Sequence, residues 1–264
     1  MPRLAHNAVD KTVGCYIRGM GGQSTEDLAQ PASSDEERVG VMTEGSTAKR
    51  VRRTKAKQRE ESLEQILDAA EYLFSKHGFY GVTLRDVAQQ VGIHTTLLHY
   101  YFEDKQHLFE AVFKRRASGT SDRRMTALER YEADAGPCPT VEGALHAFLD
   151  TDLDLYIEGG EPWMNYAAFC ARVSHSSEGA AMLVAHFDPV VLKLISILRR
   201  ALPECSDEDI FWGYHFVTGA LMNTLARTGR IDRLSGGVCR SDDFPAVKKR
   251  IAKFMAAGFL ALKP

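Results

Sequence analysis

Apolar residues recur at steps of three and four from Leu63 through Ile66, Leu67, Ala70, Leu73 and Phe74. That is the stripe of an amphipathic helix. Ser62 followed by Gln65 offers a capping box at its start, with an onset a turn or more earlier as the alternative. Lys76-His77-Gly78 ends it, because Gly78 can take the left-handed cap. Thr83, with Asp86 three residues on, opens a short second helix whose apolar face is Leu84, Val87, Ala88 and Val91. Gly92 breaks it, and a third short helix runs from about His94 to Tyr101. Asp104 caps a longer fourth helix bearing Leu108, Phe109, Val112 and Phe113. Further helices are predicted over 141–158, 162–174, 178–186, 189–202, 207–228 and 244–262. The breaks fall at Pro137 and Pro139, Gly159 to Pro162, Asp188-Pro189, Pro203 and Gly229 to Gly237. Strand alternation and internal repeats are absent, so the expected class is all-α. Residues 1–48 carry no sustained period and are rich in Gly, Ser, Gln and acids, which reads as a disordered tail.

Charge sharpens this picture. The chain as a whole has net charge −2, which excludes a uniformly basic nucleic-acid coat. Residues 1–48 carry net −3, residues 49–118 net +4, and residues 119–264 net −3. Within the middle block, KRVRRTKAKQR holds Lys49, Arg50, Arg52, Arg53, Lys55, Lys57 and Arg59 with no acid among them. Alone, such a run is equally well a solvated tail or a contact for a polyanion.

The 264 residues suggest one or two domains, and 44% hydrophobic residues supply a real core. No uninterrupted apolar run reaches the length of a membrane span, and the N-terminus lacks the apolar core of a secretory signal. The five cysteines, Cys15, Cys138, Cys170, Cys205 and Cys239, are odd in number and widely spaced. They are expected as reduced thiols of a cytoplasmic protein.

Residues 83–101, TLRDVAQQVGIHTTLLHYY, fit a helix-turn-helix. Small Ala88 allows a second helix to cross closely, and Gly92 supplies a positive φ at the turn. Ile93, Leu97 and Leu98 or Tyr101 can anchor the second helix, which leaves Thr95, Thr96, His99 and Tyr100 outward. Hydroxyls, an imidazole and a phenol can meet base edges, a thymine methyl or phosphates. The competing reading is a helical hairpin inside a bundle, against which the adjacent basic run weighs.

From Ser62 to Phe113, about 52 residues, the chain resembles the N-terminal domain of TetR-family transcriptional regulators. The matching features are the ILDAA run, F-x-x-H-G-F-x-G-V-T, the L-R-D-V-A helix, V-G-I at the turn and Y-F-E-D-K-x-x-L-F. The resemblance implies a recognition helix over 94–100, with Thr83 and Tyr100 as phosphate or groove contacts. It implies that Lys105 holds a phosphate with the N-terminus of its helix. Arg85, with Arg52, Arg53 and Lys55 of the basic run, completes the candidate DNA contacts. His94, Thr96 and His99 depart from the family's commoner residues, which implies an operator of its own.

The implied organisation is a tail over 1–48, a basic arm over 49–60, a helix-turn-helix domain over 61–104, and a ligand-binding and dimerisation domain over 105–264. A homodimer on a palindromic double-stranded operator is implied, acting as a repressor released by an unknown small molecule, with no cofactor and no membrane. The helices over 207–228 and 244–262 would pair with their copies. Their stripes are Phe211, Tyr214, Val217, Thr218, Leu221 and Leu225, and Val247, Ile251, Phe254, Met255 and Phe259. Pocket-wall candidates are Trp163, Tyr166, Phe169, Phe187, Phe211 and Trp212, each equally explicable as core. Arg172, His175, His186 and His215 could supply a polar end. A metal site from Cys170, His175, His186 and His215 is disfavoured, because the five-residue step from Cys170 to His175 is a poor ligand spacing on a helix and no carboxylate box accompanies it. Asp150, Asp152 and Asp154 do not share a helix face and read as solvated. The Arg and Asp residues of 229–243 read as caps and cross-links of the interface.

An all-α enzyme would need a nucleophile elbow, a zinc-binding H-E-x-x-H or a phosphate loop, and none occurs. Residues 1–41 have no place in the family pattern, and Met42 opens a stretch normal for such a regulator. Translation from Met42 and a genuine tail with its own partner are equally weighted readings.

Overall fold

Buried apolar stripes on successive helices organise the computed structural model, which describes residues 55–264. The tail and the candidate contacts Arg52 and Arg53 lie outside the described residues. Among the described residues there are ten helices and no strand. They are α1 (Lys55–His77), α2 (Leu84–Val91), α3 (Thr95–Tyr101), α4 (Lys105–Ala135), α5 (Val141–Glu158), α6 (Gly160–Val173), α7 (Ser177–Ala201), α8 (Asp207–Leu225), α9 (Arg230–Leu234) and α10 (Phe244–Leu260).

Lys55, six residues before the expected Glu61, already lies in the first helix, so residues 55–60 of the expected basic arm are helical. Ser62 is therefore no cap. It lies inside α1 and its hydroxyl donates to the Gln58 carbonyl at 2.8 Å. α1 to α3 form a small three-helix unit around Ile66, Phe74, Val87 and Leu98, all fully buried. α4 runs 31 residues out of that unit and packs on α5 and α7. α5 packs in turn on α10, and α6 lies against α1. Two devices join the small unit to the larger bundle. Phe74 of α1, Phe109 of α4 and Phe169 of α6 meet edge to face, with centroids 5.0 and 5.1 Å apart. Buried Glu71 of α1 accepts from Arg115 at 3.0 Å and from Arg116 at 2.9 Å, both on α4. α8 and α10 approach closely at Gly213, where a Cβ would come within 2.3 Å of the Phe259 ring.

The two helices expected on either side of Pro189 are one helix, α7. Proline inside a helix costs ~3 kcal/mol through its missing N–H and ring clash. Against that, Val190, Leu194, Ile195, Ile197 and Leu198 are all 0% exposed, and each such side chain contributes roughly 1.5–3 kcal/mol when buried. Burial wins, and Pro189 sits on the exposed side. Ala181–Ala201 of this helix has mean hydropathy 1.8 and is long enough to cross a membrane by composition alone. Here it packs on α4, α5 and α8 within the bundle. The expected 229–243 loop contains the short helix α9, entered through Arg227 and Gly229 at positive φ.

Candidate DNA-binding surface and buried cavity

Local chemistry explains the shape of the helix-turn-helix. The Thr83 hydroxyl accepts from the Asp86 N–H at 3.2 Å, and the Asp86 carboxylate accepts from the Thr83 N–H at 2.8 Å. This reciprocal cap starts α2 and holds the Asp86 carboxyl below the usual carboxylate range, chiefly through the Thr83 side chain. Gly92 at φ +78 ends α2 and leaves three residues for the turn. Leu98 is 0% exposed and pins α3 against the unit's core.

That fixation turns Thr96, His99 and Tyr100 outward, with His94 exposed at the helix entrance and Arg85 exposed on α2. Thr95 is half-buried, so it reaches less far than its position on the predicted face suggested. His94 occupies the N-cap position but makes no capping hydrogen bond. The Thr83 hydroxyl also donates to Asp86 at 2.7 Å, so it is committed to the cap rather than held open for a phosphate. Lys105 donates to the Phe79 carbonyl at 3.0 Å and lies 4.3 Å from the Phe79 ring centroid. Two of its three ammonium hydrogens remain for other acceptors. Lys55 opens α1, and Arg59 one turn on lies over the rings of Tyr100 and Tyr101 at 5.3 and 5.8 Å. The sequence placed Arg59 in the arm; the structure makes it the link between α1 and α3, and Tyr101 donates to its carbonyl at 3.2 Å.

A cavity of about 120 Å³ lies in the larger bundle, walled by α4 to α8. Tyr166 and Phe187 line it, as expected. The other candidates are elsewhere. Phe169 is spent in the ring cluster with Phe74 and Phe109. His186 lies 5.5 Å from the Phe113 ring and is not in the cavity lining. Trp163 packs edge-on against Tyr166, with the Arg116 guanidinium 4.7 Å from its ring. Phe211 and Trp212 are 43% and 52% exposed on the outer side of α8, because the inner side is taken by Ile210, Gly213 and Val217. Arg172 faces α1, where it donates to the Ser75 carbonyl at 2.7 Å and the Lys76 carbonyl at 2.8 Å. It borders a separate, open hollow of about 540 Å³ together with His175.

The cavity's polar group is one the sequence reading missed. Arg124 of α4 lies 2.7 Å from Asp152 of α5, and the two side chains are only 7% and 5% exposed. The guanidinium stacks on Phe148 at 4.5 Å and faces Phe187 at 5.6 Å. Tyr156 donates to the same Asp152 oxygen at 3.3 Å. Asp152 is thus no solvated acid. Successive i,i+2 positions turn by about 200°, which sends it inward while Asp150 pairs with His146 and Asp154 with Lys248. Burial pushes the Asp152 carboxyl up against the pull of Arg124. Burial likewise pushes the Cys170 thiol up to about 12, which keeps it protonated and unreactive. Asp152 Oδ1, Arg124 Nε and the Tyr166 hydroxyl are buried without a hydrogen-bond partner among the described residues. The signal existed in the sequence. Arg124 continues the apolar stripe Phe109, Phe113, Ala117 of α4, and Asp152 sits between Phe148 and Tyr156 at steps of four.

Comparison with known proteins agrees with this geometry. Residues 66–112 match the family described as bacterial regulatory proteins, tetR family. Residues 146–258 match the tetracyclin repressor-like C-terminal domain. An HTH-type transcriptional regulator BetI from Agrobacterium fabrum is 27% identical over 138 residues, 52% of this chain. That match spans 64% of the relative's own length, slightly under two thirds. A BetI from an Escherichia coli strain is 24% identical over 63% of this chain and 83% of its own. In fold, a TetR-like regulator from Rhodococcus sp. RHA1 superposes with a TM-score of 0.51 at 20% identity, covering 78% of this chain and all of that one. Two family segments that together take in more than half of the chain, one over the helix-turn-helix and one over the cavity-bearing bundle, leave a single conclusion. The chain belongs to the TetR family of transcriptional regulators, DNA-binding proteins rather than enzymes.

Proposed function

We propose that the chain is a cytoplasmic homodimeric repressor of a palindromic operator, released when a small molecule occupies the cavity between α4 and α8. The observation that carries this reading is the double duty of α6. Tyr166 and Cys170 line the cavity, while Arg172, half a turn beyond Cys170, holds the last carbonyls of α1. A guest that displaces α6 therefore pulls on the unit that carries α3. A dimer is supported by the outer faces of α8 and α10. Trp212, Phe216 and Phe254 are 52%, 58% and 73% exposed there, large apolar side chains that pairing would take out of water. The exposed Thr96, His99 and Tyr100 are the proposed base-reading residues, with Arg52, Arg53, Lys55, Arg85 and Lys105 on phosphates.

The test is a gel-shift titration on a palindrome from the chain's own promoter region, against excess nonspecific DNA. Thr96→Ala should relax preference at particular base pairs. Lys105→Ala should weaken binding about equally for all sequences and lower the log–log salt slope by roughly 0.9. A Lys105 variant that changes base preference while the Thr96 variant does not would overturn the assignment of roles. Absence of any sequence preference in the unaltered protein would overturn the reading itself.

A further inference from the structure

We propose that the buried cavity takes a compact neutral aromatic alcohol, of the phenol class, whose hydroxyl joins the Arg124–Asp152 pair. This rests on the reading of the cavity as the effector site. Size sets the first limit. A cavity of about 120 Å³ is close to the ~150 Å³ at which an engineered protein cavity takes benzene. The lining reaches exposed Asp188, so the space is not sealed on that side. One ring with a small substituent fills it. The walls favour an aromatic ring, since Phe148, Phe187 and Tyr214 offer faces and edges to it.

Charge sets the second limit. Arg124 and Asp152 neutralise each other at 2.7 Å. An anionic guest would have to take Arg124 from Asp152 and leave a buried carboxylate unpaired. A cationic guest would approach Asp152 beside a guanidinium already there, and Asp188, the second carboxylate of the lining, is exposed to water on the open side. A neutral guest pays neither cost. Hydrogen bonding sets the third limit. Asp152 Oδ1 is an acceptor lacking a donor, and Arg124 Nε–H is a donor lacking an acceptor. A ketone or ether could only accept and would leave Asp152 unmet. A hydroxyl is the smallest group that donates and accepts at once. The Tyr166 hydroxyl, fully buried and also unpartnered on the same cavity, can join that network.

The experiment is calorimetric titration of the full-length protein at neutral pH with phenol, toluene, benzoate and benzylamine, with operator release followed in parallel. Phenol should bind saturably and at least tenfold tighter than toluene, because an unmet buried polar pair penalises the analogue without the hydroxyl. Benzoate and protonated benzylamine should show no binding at ten times the phenol Kd. Asp152→Asn should bring phenol down towards toluene. Should that variant fail to fold, Tyr166→Phe removes only an unpaired hydroxyl, and it should weaken phenol at least threefold while leaving toluene unchanged. The proposal is overturned if a charged probe or toluene matches phenol, if none of the four binds because the cavity holds only water, or if the folded variants bind phenol as the parent does. Phenol that binds without loosening the operator would leave the ligand class standing and remove the effector reading. Operator release by a charged probe alone would do the reverse.

Discussion

Arg172 makes two charged hydrogen bonds to carbonyls that α1 cannot satisfy within its own last turn. Helix C-termini leave such acceptors open, and a cation there also meets the negative end of the helix dipole. Arg172→Ala should lower unfolding stability by about 1–2 kcal/mol, the lower part of the range for charged hydrogen bonds because the site is partly exposed. Arg172→Lys should recover part of the loss, since an ammonium can reach one carbonyl but lacks the planar fork. Urea midpoints at constant slope would show this, and an alanine variant with an unchanged midpoint would refute it. Single residues were the least legible level of the sequence. Tyr166 and Phe187 lie on the cavity wall, whereas Trp212 and Phe211 lie on the outer side of α8. An aromatic side chain fits core, pocket and interface equally, and only the register of α8 decides between them. Arg124 and Asp152 were readable in principle, as charges standing in apolar stripes. Arg124 lies on the α4 stripe well beyond Phe113, and Asp152 read as solvated beside Asp150 and Asp154 although it alone shares the face of Phe148 and Tyr156.

Helices were legible wherever short-range chemistry fixes their ends. The Thr83–Asp86 cap and the left-handed Gly92 define α2 as the spacing predicted. Boundaries failed at Pro189 in α7, where burial overrode local preference, and at the start of α1, where the exposed residues 55–60 are good helix formers with no apolar stripe to mark them. The α2 cap also carries a pH signature. The Asp86 carboxyl lies below its ordinary value because Thr83 donates to it. Its contribution is therefore full above the unfolded-state pKa and is lost as pH falls through the lower folded one. Asp86→Asn should be less stable than the parent at neutral pH, with the gap closing on acidification into that window. Thermal melts of the two proteins between pH 7 and the acid range test this. A gap that widens as pH falls would show that the carboxylate is not the stabilising form.

At the scale of the whole molecule, the exposed apolar side chains of α8 and α10 mark the faces through which the proposed dimer would assemble. Phe216→Glu places a charge in the centre of the proposed pairing surface, where Phe216 stacks on Trp212 at 6.0 Å and is 58% exposed. Sedimentation should show a shift from dimer to monomer at micromolar concentration with unchanged helicity. A variant that sediments as the parent does would place the pairing surface elsewhere. Loss of pairing should also remove operator binding, because two half-sites one helical turn apart, about 34–36 Å, need two linked recognition helices. The two-faced α6 adds an accounting rule for traffic between cavity and genome. If α6 couples the two ends as proposed, whatever factor a guest removes from operator affinity, the operator must remove from affinity for the guest. Promoter copies then act as competitors for the signal. A cell with many operators would need more of the molecule to switch the same fraction of them, with no change in any contact inside the protein.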